Sequence, residues 1–114
     1  MSGIKRVLLD ANIPRKLSRN LTGFAVATAR QLGWSELLDG PLLDVMAGQF
    51  DVLVTMDKSL PFEQNLKDRP FAVIILRARS NSIVDLVPLV PGLVTAIAET
   101  GPGKFWEIRL DPAG

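Results

Sequence analysis

Two stretches carry the residues best placed for chemistry. Val7-Leu8-Leu9-Asp10-Ala11-Asn12-Ile13-Pro14 is an apolar run that closes on a carboxylate, with a proline-led helix starting soon after. Asp51-Val52-Leu53-Val54-Thr55-Met56-Asp57 repeats the pattern and is followed by Lys58-Ser59-Leu60-Pro61. Both read as buried strands that deliver an Asp to their C-terminal ends. In a parallel α/β sheet this rim is where ligands bind, so Asp10 and Asp57 are candidates for chemistry. Asp39, in Asp39-Gly40-Pro41, opens the next helix and is the third candidate. It lies one turn before Leu43 and so faces the sheet, whereas Asp44 points about 140° away and reads as solvated. Carboxylates held close repel one another, and a divalent cation relieves that repulsion while acidifying a bound water. The set therefore suits metal-assisted phosphodiester cleavage. Each acid also has a plain structural reading: Asp39 as a helix N-cap and Asp57 as a turn former.

Composition narrows the chemistry further. The 114 residues include no His and no Cys, which removes the commonest general base, the Ser-His and Cys-His nucleophile pairs, disulfides, and imidazole or thiolate metal ligands. Clustered carboxylates then favour a hard cation, Mg²⁺ or Mn²⁺. With 13 Lys and Arg against 12 Asp and Glu, the net charge of +1 gives no broad grip on phosphate and leaves room only for a local basic patch. No apolar run reaches the roughly 18 residues of a membrane span, and the opening Met1-Ser2-Gly3-Ile4-Lys5-Arg6 does not lead into a signal peptide, so a cytoplasmic protein without membrane contact is expected.

The elements that must position these acids follow from apolar spacing. Ile4 to Leu9 and Val52 to Thr55 are strands buried on both faces, and Phe71 to Leu76 is the most apolar strand, placed inside the sheet. Asn12 is expected to cap a helix with Pro14 in its first turn and Ile13, Leu17 and Leu21 inward. Gly23 ends it, and Phe24 to Thr28 is a short second strand. Trp34 is read as a lid packed on the core, with nucleobase stacking as the alternative. The Asp39 helix runs to about Gly48. Ser82-Ile83-Val84-Asp85 fits a capping box, and the Leu86, Leu89, Val90, Leu93, Val94, Ile97 stripe predicts a short turn and then a helix from about Pro88. That stripe is core or the face of a homodimer. Lys104 to Leu110 alternates as an edge strand of open direction, with Trp106, Ile108 and Leu110 on one face, and residues 111–114 are expected to fray. The whole reads as a single α/β domain over residues 1–110, a three-layer αβα sandwich around a mainly parallel sheet of about five strands.

Around the acids, Asn12, Arg15, Lys58, Arg77, Arg79 and Asn81 are the candidate substrate contacts. Arg15, Lys16 and Arg19 near a helix start supply positive field suited to phosphate, or are an ordinary solvated face. Arg77 and Arg79 follow the fourth strand as a phosphate clamp, or one of them pairs with a rim Asp.

At these residues the sequence resembles the compact bacterial PIN-like domains: Leu8-Leu9-Asp10-Ala11-Asn12-Ile13-Pro14, Gln31-Leu32-Gly33-Trp34, Leu38-Asp39-Gly40-Pro41-Leu42-Leu43, Leu53 through Pro61, and Arg77-Ala78-Arg79-Ser80-Asn81. The resemblance spans nearly the whole chain. It implies an acidic crevice on a parallel sheet, a Mg²⁺- or Mn²⁺-dependent nuclease with RNA favoured over DNA as substrate, and an antitoxin protein as partner. Asp10, Asp39 and Asp57 take the places of three family acids. Two positions depart from the pattern: Ala11 stands where compact relatives often have Glu, and the additional acid of full-length PIN nucleases has no clear counterpart. The alternative is a catalytically inactive PIN-like interaction or antitoxin-type module. A phosphoacceptor receiver domain would need paired acids after strand one and a Lys closing strand five, and neither is evident.

Overall fold

The computed structural model describes residues 4–110; the opening residues 1–3 and the tail 111–114, expected to fray, lie outside them. Strands β1 (Arg6–Leu9), β2 (Ala25–Thr28), β3 (Val52–Thr55), β4 (Ala72–Arg77) and β5 (Phe105–Arg109) form one sheet in the order β2-β1-β3-β4-β5. Every pairing is parallel, β5 included, which settles the direction of the last strand. Helices α1 (Asp39–Met46) and α2 (Leu60–Glu63) cover one face. A 3-10 helix (Arg15–Asn20), α3 (Ile83–Leu86) and α4 (Val90–Glu99) cover the other.

The two faces follow from the two-residue period of a strand. Val7 and Leu9, Val52 and Val54, and Ala72, Ile74 and Leu76 point into the core beneath the 3-10 helix and α4. Leu8, Leu53, Val73 and Ile75 point the other way, onto Leu42, Leu43, Met46, Leu60 and Phe71. Burial on both faces explains why β1, β3 and β4 read as unbroken apolar runs. The stripe from Leu86 to Ile97 is core: Leu86, Leu89, Leu93 and Ile97 are all buried against the sheet. Trp34 packs edge-on to Phe50 over the α1 side, as expected of a lid. No helix among the described residues is long and apolar enough to cross a membrane.

Several local expectations change. β1 starts at Arg6 rather than Ile4, which is exposed. The segment after Pro14 is a 3-10 helix, not α, and Asn12 does not cap it; Pro14 holds the N-cap position. Leu38, not Asp39, is the N-cap of α1, so Asp39 is its first helical residue. The capping box at Ser82 does not form: Ser80 Oγ donates to Asp85 Oδ2 at 2.5 Å and accepts the Ser82 N–H at 3.0 Å. Two prolines divide the next stretch into a 3-10 turn, Val87–Leu89, and α4, which begins at Val90 rather than Pro88. Trp106 and Ile108 are half-buried on β5, but Leu110 lies beyond it and is exposed.

Lys5 ties the entry to β1 to the end of α4. Its Nζ donates to the carbonyls of Ile97, Ala98 and Thr100 at 2.7, 3.1 and 2.8 Å, satisfying the C-terminal end of α4. Lys5→Met keeps the aliphatic stem and removes all three bonds. It is expected to lower unfolding stability by about 1–3 kcal/mol, read by urea denaturation.

Candidate active site: an acidic cluster at the switch point of the sheet

The strand order reverses between β1 and β3, since β1 connects to β2 on one side while β3 to β5 extend on the other. The crevice outside the C-terminal ends of strands at such a point is where doubly wound sheets bind ligands. Asp10 follows β1 directly and Asp57 follows β3 by two residues. Asp39 arrives at the start of α1.

A fourth acid, Glu63 at the end of α2, completes the group. Carboxylate oxygens of Asp39, Asp57 and Glu63 all lie within 4.8 Å of one another. Asp10 is close enough for its charge to act on Asp39. Glu63 is absent from the sequence-derived set because its approach depends on where α2 packs. The available signal was its position one helical turn after Ser59, a residue that itself contacts Asp57.

A buried threonine holds the two strand ends in register. Thr55, fully buried, donates its hydroxyl to Asp10 Oδ2 at 2.7 Å and accepts the Asp57 N–H at 3.1 Å and Asn12 Nδ2 at 3.4 Å. The other Asp10 oxygen accepts the Ala11 N–H at 2.7 Å. Asn12 Oδ1 accepts the Met56 N–H at 3.3 Å, so the side chain expected to contact substrate also bridges the loops after β1 and β3. Asp57 Oδ1 accepts both the N–H and the hydroxyl of Ser59, at 3.0 and 2.6 Å. The same hydroxyl lies 3.1 Å from Glu63 Oε1. Asp57 thus forms a turn, as its plain reading required, and stands in the acidic cluster at the same time.

The electrostatics are those of crowded carboxylates. Asp39 is pushed up to about 6, first by burial, then by a hydrogen bond shared with Asp57 and by repulsion from Asp57, Asp10 and Glu63. A helix N-terminus favours an anion, but here burial and three neighbouring acids outweigh it. Asp57 is lowered, chiefly by the Ser59 hydroxyl and also by the Ser59 N–H and by Asp39 as donor. Below pH of about 6 Asp39 holds the proton of the pair and donates it in the hydrogen bond to Asp57. The donor set, three carboxylates with no softer ligand beside them, fits a hard divalent cation. Asp39, Asp57 and Glu63 would hold the ion.

The candidate substrate contacts divide between two sides. Arg15 and Asn81 line a cavity with Asp10, and Asn81 Nδ2 donates to the Asn12 carbonyl at 3.1 Å. Lys58 and Arg77 line a second cavity beside Asp57, where Arg77 is paired with Glu107 at 3.0 Å rather than with a rim Asp. Arg79 opens onto a third cavity, on the α3 side of the sheet, which Arg77, Arg109 and Asp85 also line. Asp44 is solvated as expected and pairs with Arg69 at 2.6 Å.

Compared with family models, curated proteins and solved structures, the chain gives no match.

Proposed function

We propose that this chain is a PIN-like, divalent-metal-dependent phosphodiesterase that cleaves RNA in the cytoplasm. The observation that carries the reading is the convergence of Asp39, Asp57 and Glu63, from three separate elements, within 4.8 Å beside Asp10. Above pH of about 6 Asp39 is ionised among the other acids, a state that a Mg²⁺ or Mn²⁺ ion would stabilise. Bound there, the ion supplies Lewis acidity and a water of lowered pKa. The protein's own part is to fix the carboxylates through Thr55, Asn12 and Ser59 and to offer cationic side chains on either side. No His is required, in keeping with the composition. The choice of RNA over DNA rests on the resemblance noted above.

The test is calorimetric titration with Mn²⁺ and Mg²⁺, with single-stranded RNA cleavage on the same samples, for wild type and Asp10→Asn/Asp57→Asn. Wild type should bind metal and cut RNA, and the double variant should lose both by more than the 10–100-fold typical of removing an outer supporting residue. A folded wild type that binds no metal at millimolar concentration would overturn the enzyme reading.

A second reading has its own support. Leu38 and Phe62, 78% and 82% exposed, are the immediate sequence neighbours of Asp39 and Glu63. Apolar side chains beside the acids suit a protein partner of antitoxin type, which would engage the site whether or not it is active. In that case Leu38→Ser/Phe62→Ser would abolish partner binding, while Asp10→Asn/Asp57→Asn would leave it intact.

A further inference from the structure

Adjoining the acidic cluster is a cavity of opposite character, of about 330 Å³, between the C-terminal ends of β1 and β2. Asp10 belongs to both. Beyond it the cavity walls carry Arg15 and Arg30, both exposed, and among the described residues neither guanidinium has an ion-pair partner. The one carboxylate lining this cavity is Asp10, against two cations.

The remaining polar groups are pre-set. Thr28 and Gln31 form a reciprocal pair: Gln31 Oε1 accepts the Thr28 N–H at 2.9 Å, and Thr28 Oγ1 accepts the Gln31 N–H at 3.0 Å. This orients the exposed Gln31 side chain, whose Nε2 has no hydrogen-bond partner among the described residues. Asn81 spends its Nδ2 on the Asn12 carbonyl and keeps Oδ1 as an acceptor. Ile13 and Pro14 add apolar surface.

Two guanidinium forks, one amide donor, one amide acceptor and an apolar wall match a nucleoside monophosphate. Guanidinium takes phosphate oxygens in pairs, amides read base edges or sugar hydroxyls, and the apolar wall takes a base face. The volume is at the lower end of small-ligand sites, about 300–1,000 Å³, which suits one nucleotide.

We propose that this cavity is a single-nucleotide subsite, in which Arg15 and Arg30 hold the phosphate next along a single strand from the one placed at the acids. The register along the strand rests on the phosphodiesterase reading; occupation of the cavity by a nucleotide does not need metal.

The experiment is NMR titration of the labelled full chain with uridine 5′-monophosphate in EDTA, with inorganic phosphate and uridine as parallel probes. The nucleotide should shift the amides of Ala11, Arg15, Arg30 and Gln31 saturably and bind more tightly than either probe. Arg15→Gln/Arg30→Gln should weaken it about tenfold or more, with the rest of the spectrum retained. Phosphate binding as tightly as the nucleotide would reduce the cavity to an anion site and overturn the proposal. So would shifts that map elsewhere, an unaffected double variant, or no saturable binding in the millimolar range. Because metal is absent, the two readings fail separately. Nucleotide binding in a protein that neither binds Mn²⁺ nor cuts RNA leaves the subsite standing without the enzyme. Metal-dependent cleavage with an indifferent cavity does the reverse.

Discussion

Asp39→Asn is expected to raise the stability of the metal-free protein at neutral pH while lowering its affinity for Mn²⁺ by more than 10–100-fold. The opposite signs have one cause. In the fold the Asp39 carboxyl is pushed up to about 6 from an ordinary 3.8 by burial, by its hydrogen bond to Asp57 and by the charges of Asp57, Asp10 and Glu63. The folded chain therefore holds this proton more tightly than the unfolded chain. The resulting stability is fully present below pH of about 3.8 and is lost as pH rises through about 6. Above that, the wild type carries an ionised Asp39 among like charges. The amide removes that repulsion and keeps a hydrogen-bond donor for Asp57, but it is a poor ligand for a hard cation.

Urea denaturation across pH should accordingly show the wild type losing stability relative to the variant between about pH 4 and 6. Saturating Mn²⁺ should restore the wild type and leave the variant unchanged. Below pH of about 6 metal binding must displace the Asp39 proton, so wild-type affinity should weaken as pH drops through that value, with proton release rising toward one per ion. A variant that binds Mn²⁺ like the wild type would remove Asp39 from the site.

Thr55→Val is the second large effect, and it should act without touching a ligand. Valine keeps the shape and suits a buried strand, so the sheet should form. The substitution, however, takes away the hydroxyl that donates to Asp10 and accepts from Asp57 N–H and Asn12. The groups left behind are partly buried and lose their partner. The expected cost is about 1–3 kcal/mol in urea denaturation. Metal affinity should fall about 10–100-fold, because the orientation of Asp10 and Asp57 is no longer fixed. Thr55→Ser, which restores the hydroxyl, should recover most of the metal affinity. If Thr55→Val binds metal normally, the hydroxyl is a fold element only and the acids are positioned by backbone alone.

Much of the architecture was legible because it is written in local patterns. Continuous apolar runs at Val7 to Leu9, Val52 to Thr55 and Phe71 to Leu76 report burial on both faces, and only a covered parallel sheet provides that. Asp10 and Asp57 at the ends of such runs, and Asp39 before Pro41, could be placed on one rim from sequence because doubly buried runs imply a parallel sheet, whose strand ends share a rim, and helix phase is a local property. Helix type and caps were less legible. The 3-10 helix after Pro14, Leu38 as N-cap and the role of Ser80 depend on which of several neighbouring acceptors each backbone N–H takes, a choice that shifts element ends by a residue or two.

What only the tertiary structure decided is which distant side chains meet. Glu63 joins Asp39 and Asp57 because α2 packs beside α1 on the same face, which its place one helical turn after Ser59 does not by itself dictate. Thr55 links β1 to β3 because those strands are neighbours despite the intervening β2 and α1, a pairing set by burial of the whole sheet. Arg30 reaches the Asp10 cavity through the placement of β2 at the sheet edge, whereas Arg77 is drawn off by Glu107 on β5. The sequence by itself determined the strands, their common rim and the chemistry its acids could support, since these follow from residue type and short-range period. The composition of the site was decided by packing, which alone brings groups far apart in the chain to hydrogen-bonding distance.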